Sequence, residues 1–263
     1  MNEPEAIRIV AGEATSQDDF LGGRISLLQP AKGYRAAIDP VFLAAAVAAA
    51  PGQRVLDVGT GVGTAALCLA ARIAGLHVVG VDRQRDLVGL ARRNAEINGL
   101  GDRIDVMVGD LKQPPVRLAA GTFDHVLANP PFLDSGRGNR PPDAGKAAAT
   151  VEDETTLEDW LRFCLLMVRP KCSVTLIHRA DRLDQVLAAL GGRLGDIVIF
   201  PLWPGPATAA GLGEKPAKRV IIRGRKGVAA PLRLAPGLVL HAEGGAFTPG
   251  AEAVLRHGAG LIL

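Results

Sequence analysis

Apolar positions along this chain follow two rhythms that alternate. Short, nearly continuous apolar runs near residues 54, 77, 104, 123, 172 and 196 read as strands buried on both faces. Between them, apolar residues spaced three and four apart predict helices near 63, 85, 157 and 182. Strand and helix in alternation imply a parallel sheet covered by helices on both sides, an α/β fold of doubly wound type. Arg24–Gln29 reads as a further strand and Asp39–Ala50 as a helix, with Asp39 and Pro40 giving a cap and a first-turn proline. Arg219–Lys226 reads as a last strand, and 231–240 as a short strand or extended tail. Residues 133–150 break the rhythm with glycines, prolines and Arg137, Arg140 and Lys146. A loop of that length beside a site suits a lid or a binding loop. The expected organisation is a flexible acidic segment over 1–23, a main domain over 24–227 with 24–50 as its first element, and an extension over 228–263 packed on it.

The chemistry collects at strand ends. Asn129-Pro-Pro-Phe132 follows the apolar run 123–128. Neither Pro130 nor Pro131 can donate to a strand ladder, and both have fixed φ, so the strand stops in a stiff corner. The corner aims the Asn129 amide oxygen, the Pro130 carbonyl and the Phe132 ring at one place. Two acceptors beside a flat apolar face suit a planar group bearing NH2. The plain alternative is a proline-punctuated loop with a core phenylalanine.

Upstream, Arg54–Gly63 runs a strand into glycines 59, 61 and 63, with Asp57 two positions before the first. Such a turn lets a ligand approach backbone N–H groups at a helix N-terminus. Thr64 stands where the dinucleotide fingerprint needs a third glycine, which weakens a pyrophosphate reading. The next strand ends at Asp82, placed to take both hydroxyls of a ribose or to cap the following helix. The one after ends near Asp110, which suits the amino edge of an adenine or a solvated loop. Open α/β sheets bind ligands at this edge.

The order of these motifs resembles class I S-adenosylmethionine-dependent methyltransferases, in the small-domain branch that methylates amines. The resemblance spans residues 24–225 and implies a Rossmann-like sheet of seven strands. It implies cofactor contacts from Tyr34, Asp39 and Asp57, from the turn Gly59, Thr60, Gly61 and Gly63, and from Asp82, Arg83, Asp110, Leu111 and Asn129. Arg35 joins Tyr34 and Asp39 as a group that could close over the methionine end of the cofactor. Within the branch the chain is most similar to bacterial enzymes that methylate adenine N6 in a valine tRNA, which implies an RNA partner and no metal. Same-branch alternatives are a release-factor glutamine and guanine N2 of ribosomal RNA. Alternatives of other classes are a nicotinamide-dependent oxidoreductase, for which no catalytic Tyr-x-x-x-Lys or His stands out, and a non-catalytic RNA-binding module.

Composition adds bounds. Net charge is +3, but between Lys215 and Ala242 there are seven basic residues and no acid. Lys215, Lys218 and Arg219 in that run, with the three cations of the 133–150 loop, are the expected RNA contacts; a solvated strand is the plain alternative. Cys68, Cys164 and Cys172 lie scattered in apolar surroundings and read as core residues of a reducing compartment. No leader pattern or membrane-length apolar run occurs, so a cytoplasmic protein is expected, as monomer or homodimer.

Overall fold

A computed structural model describes residues 8–10, 13–31, 35–131, 155–206 and 215–263. Tyr34, Phe132, Arg137, Arg140 and Lys146 lie outside the described residues. The central strands are β4 (Arg54–Val58), β5 (His77–Asp82), β6 (Ile104–Val108), β7 (Phe123–Ala128), β8 (Val168–Arg179), β9 (Leu194–Trp203) and β10 (Arg219–Lys226). They lie in the order β9-β10-β8-β7-β4-β5-β6, with β10 antiparallel to both neighbours. This is the expected Rossmann-like sheet of seven strands. Two short strands, β11 (Arg233–Leu234) and β12 (Leu238–Val239), extend it by pairing with β9.

Each face of the sheet has its own core. On one side lie α1 (Asp39–Ala45), α2 (Thr64–Arg72) and α3 (Arg85–Ile97), packed with Val55, Val78, Val106, Leu127, Ile177 and Ile221. On the other lie α4 (Leu157–Met167) and α5 (Leu183–Leu190), packed with Leu56, Val58, Val126, Val174, Leu176 and Ile222. Strand residues alternate between the two cores, as the pleat requires. The α4 start is a capping box: the Thr156 hydroxyl accepts from Asp159 N, and the Asp159 carboxylate accepts from Thr156 N. Cys68 and Cys164 are buried and free, and burial pushes both thiols up to about 12. Among the described residues no helix is long and apolar enough to cross a membrane.

The acidic N-terminal stretch departs from expectation. Rather than fraying, Glu13–Phe20 (β2) pairs antiparallel with Ile25–Pro30 (β3), and Arg8–Val10 (β1) pairs with β2. The reason lies in α3. Asn94 and Asn98, one turn apart, present their amides to β3 as a neighbouring strand would. Leu28 N donates to Asn94 Oδ1 at 2.8 Å, and Asn94 Nδ2 donates to Leu28 O at 2.9 Å. Asn98 exchanges the same pair of bonds with Ser26. Two side chains thus satisfy an edge strand that would otherwise expose its ladder groups.

Asp39 also departs from expectation. Ile38 occupies the cap position and no side chain caps the helix; Asp39 instead pairs with Arg219 at 2.7 Å. At the other end of the chain, Pro249–Leu255 forms a helix, α6, started by the Thr248 hydroxyl and Pro249. Its Ala251 and Val254 join the α1 core, and Leu261 N donates to Ala45 O.

Asn94 is fully buried and its Nδ2 also donates to Val62 O in the glycine turn. Asn94→Ala leaves three buried backbone groups without partners, at about 1–3 kcal/mol each before relaxation. Chemical denaturation should show a loss of about 3 kcal/mol or more. Asn98→Ala, whose surroundings are partly exposed, should cost clearly less.

Candidate active site

Strands β7, β4, β5 and β6 are parallel neighbours, so their C-terminal ends share one edge. The glycine turn rises from β4. Gly59, Gly61 and Gly63 have φ of +69°, +56° and +88°, a region costly for any residue with a Cβ. At Gly59 the space is closed as well: a Cβ would lie 2.2 Å from Trp160 Cη2. The turn is tied at several points. Gly59 N and Thr60 N donate to Val81 O at 2.8 and 3.1 Å, and Gly63 N donates to Thr60 O at 2.9 Å.

Two buried acids complete the ties. Asp57 accepts from Thr60 Oγ1 at 2.7 Å and from the Ala66 N–H in the first turn of α2. Burial pushes its carboxyl up to about 7; those two bonds oppose the rise, and Asp82 nearby adds to it. Asp82 accepts from Gly61 N and Gln84 N, both at 2.9 Å. One of its oxygens therefore holds the turn while the other steadies the start of α3. Thr60, expected among the cofactor contacts of the turn, donates its hydroxyl to Asp57.

Asn129 faces this turn. Together with Pro40, Leu43, Asp57, Gly59, Thr60, Val62, Thr64 and Ala65 it lines one cleft. Its Oδ1 is buried and has no hydrogen-bond partner among the described residues. Pro130 is buried and Pro131 exposed. The cleft's free volume is about 20 Å³, little more than one water needs, so a larger ligand must lie mainly outside it.

Other expected residues sit apart from the cleft. Arg35 pairs with Asp18 of β2 at 2.7 Å rather than closing over the turn. Arg83 is exposed at the end of β5. Asp110 Oδ1 accepts from Lys112 N, and Leu111 packs against the α4 core. The basic run is divided, because β10 spans eight residues, about 27 Å. Lys215 and Lys218 are exposed at the edge carrying Asn129, with Arg219 beside them on Asp39. At the opposite end, Lys226 Nζ donates to Leu165 O and Val168 O and Arg225 to Lys171 O, while Arg223 in mid-strand donates to Leu263 O. Those three cations of the run bond backbone carbonyls of the fold and were not among the expected contacts Lys215, Lys218 and Arg219.

Sequence reasoning misses Thr64, Pro40 and Leu43 as cleft residues, and Trp160 as the wall behind Gly59. Pro40 carried a local signal only as a helix start, and Thr64 only as a departure from the dinucleotide fingerprint.

Residues 38–140 match the model of the methyltransferase small domain. A tRNA1(Val) (adenine(37)-N6)-methyltransferase from Porphyromonas gingivalis is 30% identical over 175 residues, covering 64% of this chain and 68% of that protein. The chain belongs to the small-domain family of class I S-adenosylmethionine-dependent methyltransferases. A release factor glutamine methyltransferase from Aliivibrio fischeri is 40% identical over 89 residues, covering 34% of this chain and 29% of that protein. A crystal structure described as a predicted O-methyltransferase from Agrobacterium tumefaciens superposes with a TM-score of 0.69 at 26% identity, over 85% of this chain and 98% of that one. This small-domain methyltransferase is therefore an enzyme of α/β fold, and its glycine turn and Asn129 line one cleft.

The Asp57 carboxyl sets a pH dependence. In the unfolded chain it ionises near the ordinary carboxylate value; in the folded chain, near 7. Between those values the folded state holds a proton that the unfolded state has lost, so stability falls as pH rises through about 7. Melting of the ligand-free protein should decline across that window, and Asp57→Asn should flatten the decline. An equal slope in both proteins would remove Asp57 as its source.

Proposed function

We propose that this methyltransferase transfers a methyl group from S-adenosylmethionine to adenine N6 in a tRNA anticodon loop. The observation that carries the proposal is the buried, unpartnered Asn129 Oδ1, which lines the same cleft as Asp57, Gly59 and Thr60. An acceptor left unpaired in a low-dielectric site is costly, and an incoming N–H removes that cost.

The cleft residues suit the cofactor's amino-acid end. The buried Asp57 carboxylate favours a cation, and the positive turn of α2 favours an anion. Asp82 retains lone pairs for ribose hydroxyls beyond the two N–H groups it already accepts. When bound, the cofactor supplies an electrophilic methyl group. The Asn129 amide oxygen and the Pro130 carbonyl then accept from the two N–H bonds of the target amine. That favours a pyramidal nitrogen, with its lone pair directed at the methyl carbon, and stabilises the positive charge that grows there. Positioning supplies much of the rest, and the methylated ammonium loses its proton afterwards without a dedicated base. The base leaves its loop stack to reach the corner; the stacking role expected of Phe132 falls outside the described residues.

The substrate assignment rests on two supports. The tRNA adenine methyltransferase relative aligns over 175 residues, against 89 for the glutamine methyltransferase. Lys215 and Lys218 are exposed cations at the edge where Asn129 lies, placed to meet phosphates. A glutamine carboxamide carries the same planar NH2, so the release-factor reading is the one to test against.

Radiolabelled S-adenosylmethionine should label total tRNA and yield N6-methyladenosine on nucleoside mass spectrometry. Label in purified release factor instead would overturn the RNA assignment. Asn129→Ala should cut turnover by about 10²-fold or more while calorimetry finds cofactor affinity within a few-fold of wild type. Unchanged turnover would show that the amide does not hold the target amine.

A further inference from the structure

The cleft contains a second orphan. Thr64, the first residue of α2, lines it and is 2% exposed, and its Oγ1 has no hydrogen-bond partner among the described residues. Valine has the same shape and would avoid burying an unpaired hydroxyl. The helix that begins here is nine residues long, and its cap position is Gly63, which has no side chain to offer. The Ala66 N–H of that first turn is taken by the Asp57 carboxylate, and the cap position itself has no side chain to cover the N–H groups before it.

We propose that Thr64 is a positioning residue that donates its hydroxyl to the carboxylate of the cofactor's amino-acid end, at the first turn of α2. This rests on the methyl-donor reading above and assigns a role within it. The sign of the ligand group follows from the helix field, which favours an anion at this place. The neighbouring Asp57 carboxylate favours the opposite sign and so draws the ammonium of the same zwitterion. Asn129 Oδ1, the other orphan, is then left for the target amine. Each unpaired polar atom of the cleft acquires one chemical partner.

Calorimetry with two nucleosides separates this role from a structural one. S-adenosylhomocysteine carries the amino-acid end; 5′-methylthioadenosine lacks it. Thr64→Val should weaken S-adenosylhomocysteine about tenfold and leave 5′-methylthioadenosine nearly unchanged, while Thr64→Ser retains wild-type affinity for both. The ligand-free Thr64→Val protein should melt no lower than wild type, because the hydroxyl has no partner to lose. Equal S-adenosylhomocysteine affinity in Thr64→Val and wild type would overturn the proposal. So would a parallel loss for both ligands, or a lower melting point of the ligand-free variant. A wild-type protein that binds neither nucleoside would remove the methyl-donor reading itself, a result distinct from failure at Thr64 alone.

Discussion

Two buried carboxylates hold the glycine turn in place, and the candidate site depends on them. Asp57 grips the turn through Thr60 and the first turn of α2 through Ala66. Asp82 grips Gly61 from the neighbouring strand. Without these anchors a turn with three glycines at positive φ would have many conformations open to it. The anchoring is obtained by placing an acid where its ionised form is disfavoured, as the raised Asp57 carboxyl records. Stability is given up at a site that needs a preset shape and charge.

From this turn the rest of the site follows by parallel pairing. Val58 lies level with Val81 on one side and Ala128 on the other. The residue after Ala128 is Asn129, so strand register alone brings the amide to the cleft. The diproline corner then ends the strand at that level. Trp160 closes the space behind Gly59, and Pro40 and Leu43 of α1 close the front. The Asp39–Arg219 pair joins that front helix to the strand that carries the basic residues. One face thus carries both the cleft and the exposed Lys215 and Lys218.

The N-terminal hairpin shows how the interior reaches outward. Its acids suggested a solvated tail, yet Asn94 and Asn98 give β3 the hydrogen bonds of an absent neighbouring strand. Asn94 also holds Val62 O, so the same side chain joins the hairpin to the glycine turn. Two asparagines on a helix carry no local signal of this, because their partners lie 66 and 72 residues away.

What the sequence by itself determined is what depends on near neighbours. Apolar spacing marked the six strands and four helices of the central alternation. Glycines at alternate positions marked the turn, and two prolines marked the corner, because backbone freedom and its loss are properties of single residues. The tertiary structure alone decided which polar atoms were satisfied. Asp39 looked like a cap and became the partner of Arg219, 180 residues away. The seven cations of the C-terminal run looked continuous, but β10 divides them: Lys215 and Lys218 stay exposed before the strand, while Arg223, Arg225 and Lys226 along it bond backbone carbonyls. Thr64 looked like a missing glycine, and burial made it an orphan hydroxyl beside Asn129. Hydrogen-bond satisfaction and burial arise between segments distant in sequence, so no local pattern contains them.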